Sequence, residues 1–306
     1  MQLPVCASPI GGAAGCRYDK PMGKAVVTIS VCIALAAGIA WAGAQGGVAV
    51  WGVPVMALCG GLAFLVQWVA FVPSFAHQTE RYYDLTGSVT YLTTTWLAVA
   101  SSGTTHPRAL LVGGAVSVWA LRLGSFLFRR VRREGKDGRF DAIKTSAPRF
   151  LVAWTVQGLW VFLTSCAALA TITVEVPAAL GLRDALGGAI WVLGFAIEVV
   201  ADRQKSAFKA QHPGRFIDTG LWSWSRHPNY FGEIVLWVGI AIVASSTLRG
   251  WQWATMISPI FVVFLLTKVS GIPMLEERAD DRWGEQDDYR AYKARTSVLV
   301  PWPPGR

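Results

Sequence analysis

The sequence predicts an all-α protein, a polytopic transmembrane bundle of about seven to eight helices with a cap of loops on one side. Three observations support this prediction. Hydrophobic residues make up 53% of the chain and charged residues only 15%, whereas about a quarter of the residues of a soluble domain are charged. Apolar stretches long enough to cross about 30 Å of hydrocarbon recur along the chain. Nearly all basic residues lie between these stretches. An ordinary soluble enzyme and a disordered chain are therefore excluded.

The apolar stretches define eight candidate spans, or seven if the first is cleaved or lies on the surface. Their approximate bounds are 24–42, 50–73, 85–101, 109–128, 150–173, 184–201, 229–247 and 251–268. Residues 1–23 are small and polar, and we expect a flexible tail there. No repeat or low-complexity linker divides the rest, so residues 24–306 are expected to form a single membrane domain.

The distribution of the 28 Lys and Arg residues predicts the topology. Apart from Arg108, Arg122, Arg183 and Arg249, they all fall in segments 1–24, 74–84, 129–149, 202–228 and 268–306. Positively charged loops stay on the cytoplasmic side, so we expect an even number of spans and two cytoplasmic termini. This topology explains the net charge of +9 without nucleic acid. The expected partners are the lipid bilayer and a hydrophobic small molecule, and a monomer is compatible with the pattern.

The cysteines and histidines predict neither a disulfide framework nor a metal site. The five cysteines are odd in number and lack C-x-x-C spacing. His77, His106 and His212 have no metal-like spacing with acids or cysteines. No metal is therefore expected.

Ionisable residues are densest between residues 202 and 233, which read DRQKSAFKAQHPGRFIDTGLWSWSRHPNYFGE and join two predicted spans. The arginines there can neutralise phosphates, and Asp202 and Asn229 can hold ribose or amide groups, which favours a nucleotide. The alternative is that these cations only contact lipid phosphates. Glu233 favours a site, because a carboxylate at the start of a membrane helix is costly unless it is paired.

Arg122 is the one basic residue that lies within a predicted span away from its ends. An arginine there usually faces a partner or an aqueous cavity. If its helix continues to Arg130 and Arg133, the three cations share a face that points toward the cytoplasm. We interpret them as cofactor ligands, the alternative being a structural ion pair or snorkelling.

Three motifs resemble one known family. The segments LRLGSFLFRRVRREGKDGRFD (121–141), TGLWSWSRHPNYFGEIVLWVGIA (219–241) and PMLEERADDRWGEQDDYRAYKARTSVLVPWPP (273–304) are similar to the C-terminal domain of the steroid 5-alpha-reductase superfamily, and especially to its DUF1295 branch. The resemblance runs from about residue 80 to the C-terminus, and residues 202–306 form its motif region. It implies a helical bundle, open to the cytoplasm, that holds NADPH under its loops and delivers hydride to an activated C=C bond of a lipid.

The resemblance also implies roles for individual residues. Asp202, Arg215, Arg226, Asn229 and Glu233 match positions that bind or orient the dinucleotide, and Arg130, Arg133 and Asp137 match positions near its phosphates. Arg278, with Tyr289 or Tyr292, is expected to close over the adenine end, where the tail forms an amphipathic helix; the alternative is a solvated face with ion pairs. The expected cofactor-binding set is completed by Arg122, Lys205, His227 and Tyr230.

The proton donor is the point at which the sequence departs from the family. Trp119 stands where the steroid reductases carry a Tyr, and an indole cannot donate a proton as a phenol can. The segment HQTERYYDLTGS (77–88) offers Glu80, Tyr82 and Tyr83 as catalytic substitutes. The alternative for these residues is an interfacial aromatic belt with a capping acid.

Two other functions fit parts of the pattern. The RHP-x-Y-x-G motif before an apolar span, with the E-E and Y-x-x-Y tail, also resembles isoprenylcysteine and phospholipid methyltransferases that use S-adenosylmethionine. The basic KDGRFD loop favours a dinucleotide, because S-adenosylmethionine carries no phosphates. A non-catalytic lipid-binding protein is the third possibility. The expected location is the endoplasmic reticulum in a eukaryote or the inner membrane in a bacterium.

Overall fold

The computed structural model describes residues 19–103, 106–135, 137–176 and 179–303. The α-helices are α1 (Asp19–Gly43), α2 (Val55–Ala76), α3 (Tyr83–Ser101), α4 (Pro107–Glu134), α5 (Ala147–Ile172), α6 (Leu182–Gln211), α7 (Pro228–Ala244), α8 (Ile257–Phe264), α9 (Ile272–Trp283) and α10 (Asp287–Arg295). Short strands β1 (Ala49–Val50) and β2 (Val53–Pro54) pair antiparallel. Two 3-10 helices (Gly220–Ser223 and Gly250–Met256) and a π-helical turn (Leu265–Val269) complete the elements.

The all-α bundle predicted from the sequence is confirmed, with three corrections to element bounds. Residues 50–54 were expected to begin a span but form a tight hairpin, with Trp51 and Gly52 at positive φ. Residues 202–211 were expected in a loop but continue α6, because no helix breaker precedes Pro213 and a polar sequence can extend a helix beyond the hydrocarbon. The tail was expected to be one helix, but it breaks at Gly284 into α9 and α10.

By length and composition, six helical segments in the described part of the chain are able to cross a membrane. They are Met22–Gly43, Val55–Ala76, Pro107–Arg133, Ala147–Ile172, Leu182–Gln211 and Gly250–Trp283. α7 is apolar but only 17 residues long, and the threonine-rich sequence of α3 lowers its hydropathy. The chain is therefore a multi-pass integral membrane protein.

α5 is the central helix of the bundle. From Leu159 to Ile172 all but one of its residues are buried, and it packs against α1, α2, α3, α4, α7 and α8. Both α5 and α7 have a proline in the first turn, where the missing backbone N–H costs no hydrogen bond. The burial of α5 leaves the other helices to form the wall that faces lipid.

α6 and α7 cross at unusually short distance because glycines line their contact. A Cβ atom at Gly194 would lie 2.4 Å from the backbone nitrogen of Leu236, and one at Gly232 would lie 2.6 Å from that of Glu198. Small residues allow such close backbone approach between membrane helices. The crossing places Glu198 of α6 beside the first turn of α7.

The segments rich in basic residues meet at one end of the bundle. Lys144 Nζ lies 2.9 Å from Glu80 Oε2, and the Trp283 indole donates to Gly214 O at 2.7 Å. At the opposite end Gly47 pairs with Val174, and Arg183 donates to Ser245 O at 2.9 Å. This arrangement agrees with the predicted one-sided distribution of charge; the cytoplasmic orientation stays a prediction.

Candidate functional site

A cavity of about 460 Å³ opens among α3, α4, α5, α6, α7 and the start of α9. Its size is within the range of small-molecule sites. Ten of the residues expected in the site line it: Tyr83, Arg130, Arg133, Asp137, Asp202, Lys205, Asn229, Tyr230, Glu233 and Arg278. The fold therefore brings together residues that lie almost 200 positions apart in the sequence.

Carboxylates from α6 and α7 form the polar wall of the cavity. Arg122 Nη1 lies 2.5 Å from Glu198 Oε1, and its other terminal nitrogen bonds to Asp202. Glu233 is buried nearby. The second oxygen of Glu198 faces the Trp119 indole without a well-aligned hydrogen bond, and Oδ1 of Asn229 is buried without a hydrogen-bond partner. Buried polar atoms are rarely left unpaired, so these two oxygens are available to accept hydrogen bonds from a bound polar group.

Glu198 was not identified from the sequence, where an ion pair was only the alternative to a cofactor role for Arg122. A signal was present, because Glu198 stands inside the apolar run AIWVLGFAIEVVA. An acidic residue within a span is costly and marks a site in the same way as Glu233.

The outer part of the cavity is basic. Arg130, Arg133, Lys205, Lys209 and Arg278 line it from three helices. Acidic residues offset only part of this charge: Arg139 Nη2 lies 2.5 Å from Asp137 Oδ2, and Arg130 lies 3.8 Å from Asp84. Burial raises the pKa of Asp137, but the hydrogen bonds and charge of Arg139 lower it more, so this carboxylate is held ionised.

The inner part of the cavity is aromatic, and it contains a phenol that sequence reasoning missed. Tyr91 of α3 lines the cavity and packs edge-on against Trp119 of α4, with ring centroids 5.0 Å apart. Trp119 packs in the same way against Trp237 at 5.0 Å. The Tyr91 hydroxyl faces Thr164 and the Glu233 carboxylate without a well-aligned hydrogen bond. A tyrosine on the neighbouring helix thus lies against Trp119, the position where the resemblance to the steroid reductases led us to expect a Tyr.

The three residues expected to supply the proton donor occupy different surroundings. Glu80 is buried, accepts from Lys144 Nζ at 2.9 Å and from the Asp137 N–H at 2.9 Å, and does not line the cavity. Burial raises its pKa, but these two hydrogen bonds lower it more. Tyr83 lines the cavity with its ring and donates its hydroxyl to Ala153 O at 2.9 Å. Tyr82 is half exposed and stacks on Phe128. Their part in catalysis stays a prediction.

Arg226 and His227 lie outside the cavity lining, where they hold the C-terminal segment. His227 Nε2 lies 2.8 Å from Glu276 Oε1, and Arg226 lies 3.2 Å from the other oxygen. Burial lowers the pKa of His227, and the Glu276 hydrogen bond only partly reverses this. The two residues therefore clamp α9 to the start of α7.

Tyr289 and Arg215 also lie away from the cavity. Tyr289 is buried against Phe216, and burial raises its pKa to about 12. Tyr292, in the next turn of α10, donates to Trp222 O at 2.7 Å. Arg215 is exposed on the loop after α6. These contacts fix the tail against the 3-10 helix that precedes α7.

No group of three or more His, Cys, Asp or Glu residues forms a possible metal site in residues 19–103, 106–135, 137–176 and 179–303. Cys32, Cys59 and Cys166 are buried and free. The expectation that no metal is needed stays a prediction.

Fold and site together define a multi-pass helical membrane protein with a cavity that is basic at its mouth and aromatic at its inner end. A family model described as a protein of unknown function, DUF1295, matches residues 70–296. The chain therefore belongs to the DUF1295 family, as the three sequence motifs predicted. The match covers every element that lines the cavity and leaves out α1. No curated protein and no solved structure matches the chain.

Proposed function

We propose that the protein is a membrane-embedded, NADPH-dependent reductase that transfers hydride to an activated C=C bond of a lipid or sterol-like substrate. One observation carries the proposal. A single cavity joins a basic mouth, suited to phosphates, to an aromatic inner end that contains Tyr91 and Glu233. A dinucleotide and an apolar substrate need these two environments in contact.

The residues at the mouth fit a dinucleotide. Arginine and lysine from α4, α6 and α9 can bind its phosphates. Asp202 and Glu233 can accept hydrogen bonds from ribose hydroxyls or the carboxamide. Asn229 Oδ1 and Glu198 Oε2, which make no well-aligned hydrogen bond, add two more acceptors. NADPH carries one phosphate more than NADH, so the number of cations favours NADPH.

Bound NADPH supplies the hydride, and the protein supplies binding, alignment and exclusion of water. The aromatic contacts among Tyr91, Trp119 and Trp237 keep the inner end apolar. The Tyr91 hydroxyl is placed to donate a hydrogen bond to the oxygen of an α,β-unsaturated carbonyl, where negative charge develops as the double bond is reduced. In this role Tyr91 takes the place of the phenol that is absent at Trp119.

The proposal is tested first by cofactor binding. We expect NADPH to raise the Tm of the purified protein in detergent more than NADH or S-adenosylmethionine does, because a ligand at about 100 times its Kd stabilises by about 2.7 kcal/mol. Asn229→Ala and Glu233→Gln are each expected to remove this shift while the protein stays folded. The control is Gln211→Ala, which removes an exposed amide at the end of α6.

The other outcomes decide between the competing functions. A larger shift with S-adenosylmethionine would replace the reductase by a methyltransferase. No shift with any cofactor would favour a non-catalytic lipid-binding protein. An NADPH shift that persists in both site variants would show that the dinucleotide binds elsewhere.

A further inference from the structure

A second groove, of about 370 Å³, lies between α4 and α6. Its two walls have the same spacing: residues 122, 125, 126 and 129 form one face of α4, and residues 199, 202, 203 and 206 form one face of α6. Spacing of three, four and seven residues is that of a single helix face. The groove is therefore built by two facing helix surfaces.

The groove is basic, and two of its arginines are not neutralised. Arg129 of α4 and Arg203 of α6 are exposed and make no ion pair with any side chain that the structure describes, a set that excludes those of residues 1–21, 104–105, 134, 136, 177–178 and 304–306. Arg122, at the inner end, is bound to Glu198 and Asp202. Ser206 adds a hydroxyl to the wall. Two arginines and a hydroxyl that converge from two helices match the oxygens of a phosphate group.

The surroundings of the groove indicate a lipid. Toward the middle of the bundle both helices present exposed apolar side chains, with Leu121 of α4 59% exposed and Val200 of α6 43% exposed. Arg129 lies two turns beyond Arg122, about 10 Å farther along α4 toward the basic end. An anionic headgroup at this level places its acyl chains against the apolar surface. Basic pockets between membrane helices bind anionic lipid headgroups in this way.

We propose that the groove between α4 and α6 binds the phosphate headgroup of an anionic membrane lipid through Arg129, Arg203 and Ser206. The groove adjoins the mouth of the cavity but differs from it in its cations: Arg129 and Arg203 line the groove alone, whereas Arg130, Arg133, Lys205, Lys209 and Arg278 line the cavity alone. Phe126, Asp202 and Ser206 line both the groove and the cavity, so the two are neighbouring sites, with the Arg122–Asp202 contact at their boundary. The proposal does not depend on the reductase function.

The experiment measures lipid retention by native mass spectrometry and the lipid-induced Tm shift in detergent. The probes are phosphatidic acid, phosphatidylcholine and inorganic phosphate. We expect the wild type to prefer phosphatidic acid to phosphatidylcholine, and the double variant Arg129→Gln/Arg203→Gln to bind phosphatidic acid about tenfold or more weakly, since each basic residue near a lipid headgroup adds about 1 kcal/mol.

The control is Arg132→Gln/Arg149→Gln, which removes the same charge from exposed positions outside the groove. We expect it to retain phosphatidic acid, and we expect Arg129→Lys/Arg203→Lys to bind more tightly than the Gln pair. Equal losses of phosphatidic acid binding in the Gln pair and the control would contradict the proposed site. Unchanged phosphatidic acid binding in the Gln pair would contradict it as well. A Tm shift by inorganic phosphate equal to that by phosphatidic acid would assign the groove to a soluble anion and overturn the lipid. Should the Gln pair not fold, each single variant is compared with Arg132→Gln by the same criteria.

Discussion

Two arginine–carboxylate contacts join α4 to α6, and they differ in how completely their hydrogen-bonding groups are satisfied. Arg108 makes a two-point contact with Asp184, at 2.6 and 2.8 Å, and also donates to Ala179 O at 2.7 Å. Asp184 accepts a further bond from the Gly181 N–H at 2.8 Å. Arg122 instead divides its guanidinium between Glu198 and Asp202, and one oxygen of Glu198 makes no well-aligned hydrogen bond.

The two contacts occupy equivalent positions on the same helices. Both arginines are 76 residues before their carboxylate, and the 14 residues between the two levels correspond to about 21 Å along each helix. At the level of Arg108 the charges match and the side chains are sealed from solvent. At the level of Arg122 one cation faces two carboxylates beside a cavity. We infer that an arginine in a span has a structural role where its guanidinium and the facing carboxylate satisfy each other's hydrogen bonds. Where the facing carboxylates keep acceptor oxygens that are not satisfied, the arginine marks a site.

Removing Arg108 has the largest expected effect on stability. Arg108→Met leaves Asp184 buried without its partner, which costs about 3–5 kcal/mol, and the Tm in detergent measures the loss. Arg183→Met is the control, because Arg183 is exposed at the same end and makes one bond to a backbone carbonyl.

Arg122→Met is expected to destabilise the protein less than Arg108→Met, since the Arg122 side chain is 18% exposed. It is also expected to abolish the Tm shift that NADPH causes. The proposed difference between the two contacts is contradicted if Arg122→Met lowers the Tm as much as Arg108→Met does and leaves the NADPH-induced Tm shift intact.

The phenol at the inner end of the cavity has the next largest expected effect. Tyr91→Phe removes the hydrogen-bond donor and keeps the ring that packs on Trp119, so turnover is expected to fall about 10²–10³-fold with little change in Tm. The measurement is NADPH oxidation with an α,β-unsaturated ketone that carries an apolar chain. Tyr83→Phe is the matched variant, and its hydroxyl already bonds to Ala153 O. A greater loss of turnover in Tyr83→Phe than in Tyr91→Phe would indicate that the proton donor lies in residues 77–88, as first predicted from the sequence.

The difference between these two tyrosines shows how far sequence reasoning reached. Long apolar runs located the helices of the bundle, because hydropathy and helix length are local properties. The charge and polarity of Asp202, Asn229 and Glu233 located one wall of the cavity for the same reason. Tyr91 was missed because it lies among threonines within a span, and only the packing of α3 against α4 brings it to Trp119. Glu198 was missed because a partner 76 residues from Arg122 is determined by helix packing and not by local pattern.

The smallest expected effect is a dependence of local stability on pH that is confined to the cavity end of the bundle, away from the Arg108–Asp184 contact. Burial holds the pKa of His227 below its ordinary value, so the folded protein keeps this ring neutral. The stability it contributes is fully present above the unfolded pKa of about 6.5 and is lost as the pH falls through the lower folded pKa. Acidification from pH 7.5 to pH 5 is therefore expected to destabilise the segment around His227, because the ring must become charged while it is buried near Arg226. Hydrogen exchange should rise in residues 219–233 and stay unchanged around Arg108 and Asp184, which lie about 21 Å farther along α4 and α6 than Arg122 and Glu198. His227→Gln should remove most of the pH dependence. An equal rise of hydrogen exchange in residues 219–233 and around Arg108 would mean that acid destabilises the whole bundle, and it would contradict the expected difference between the two regions.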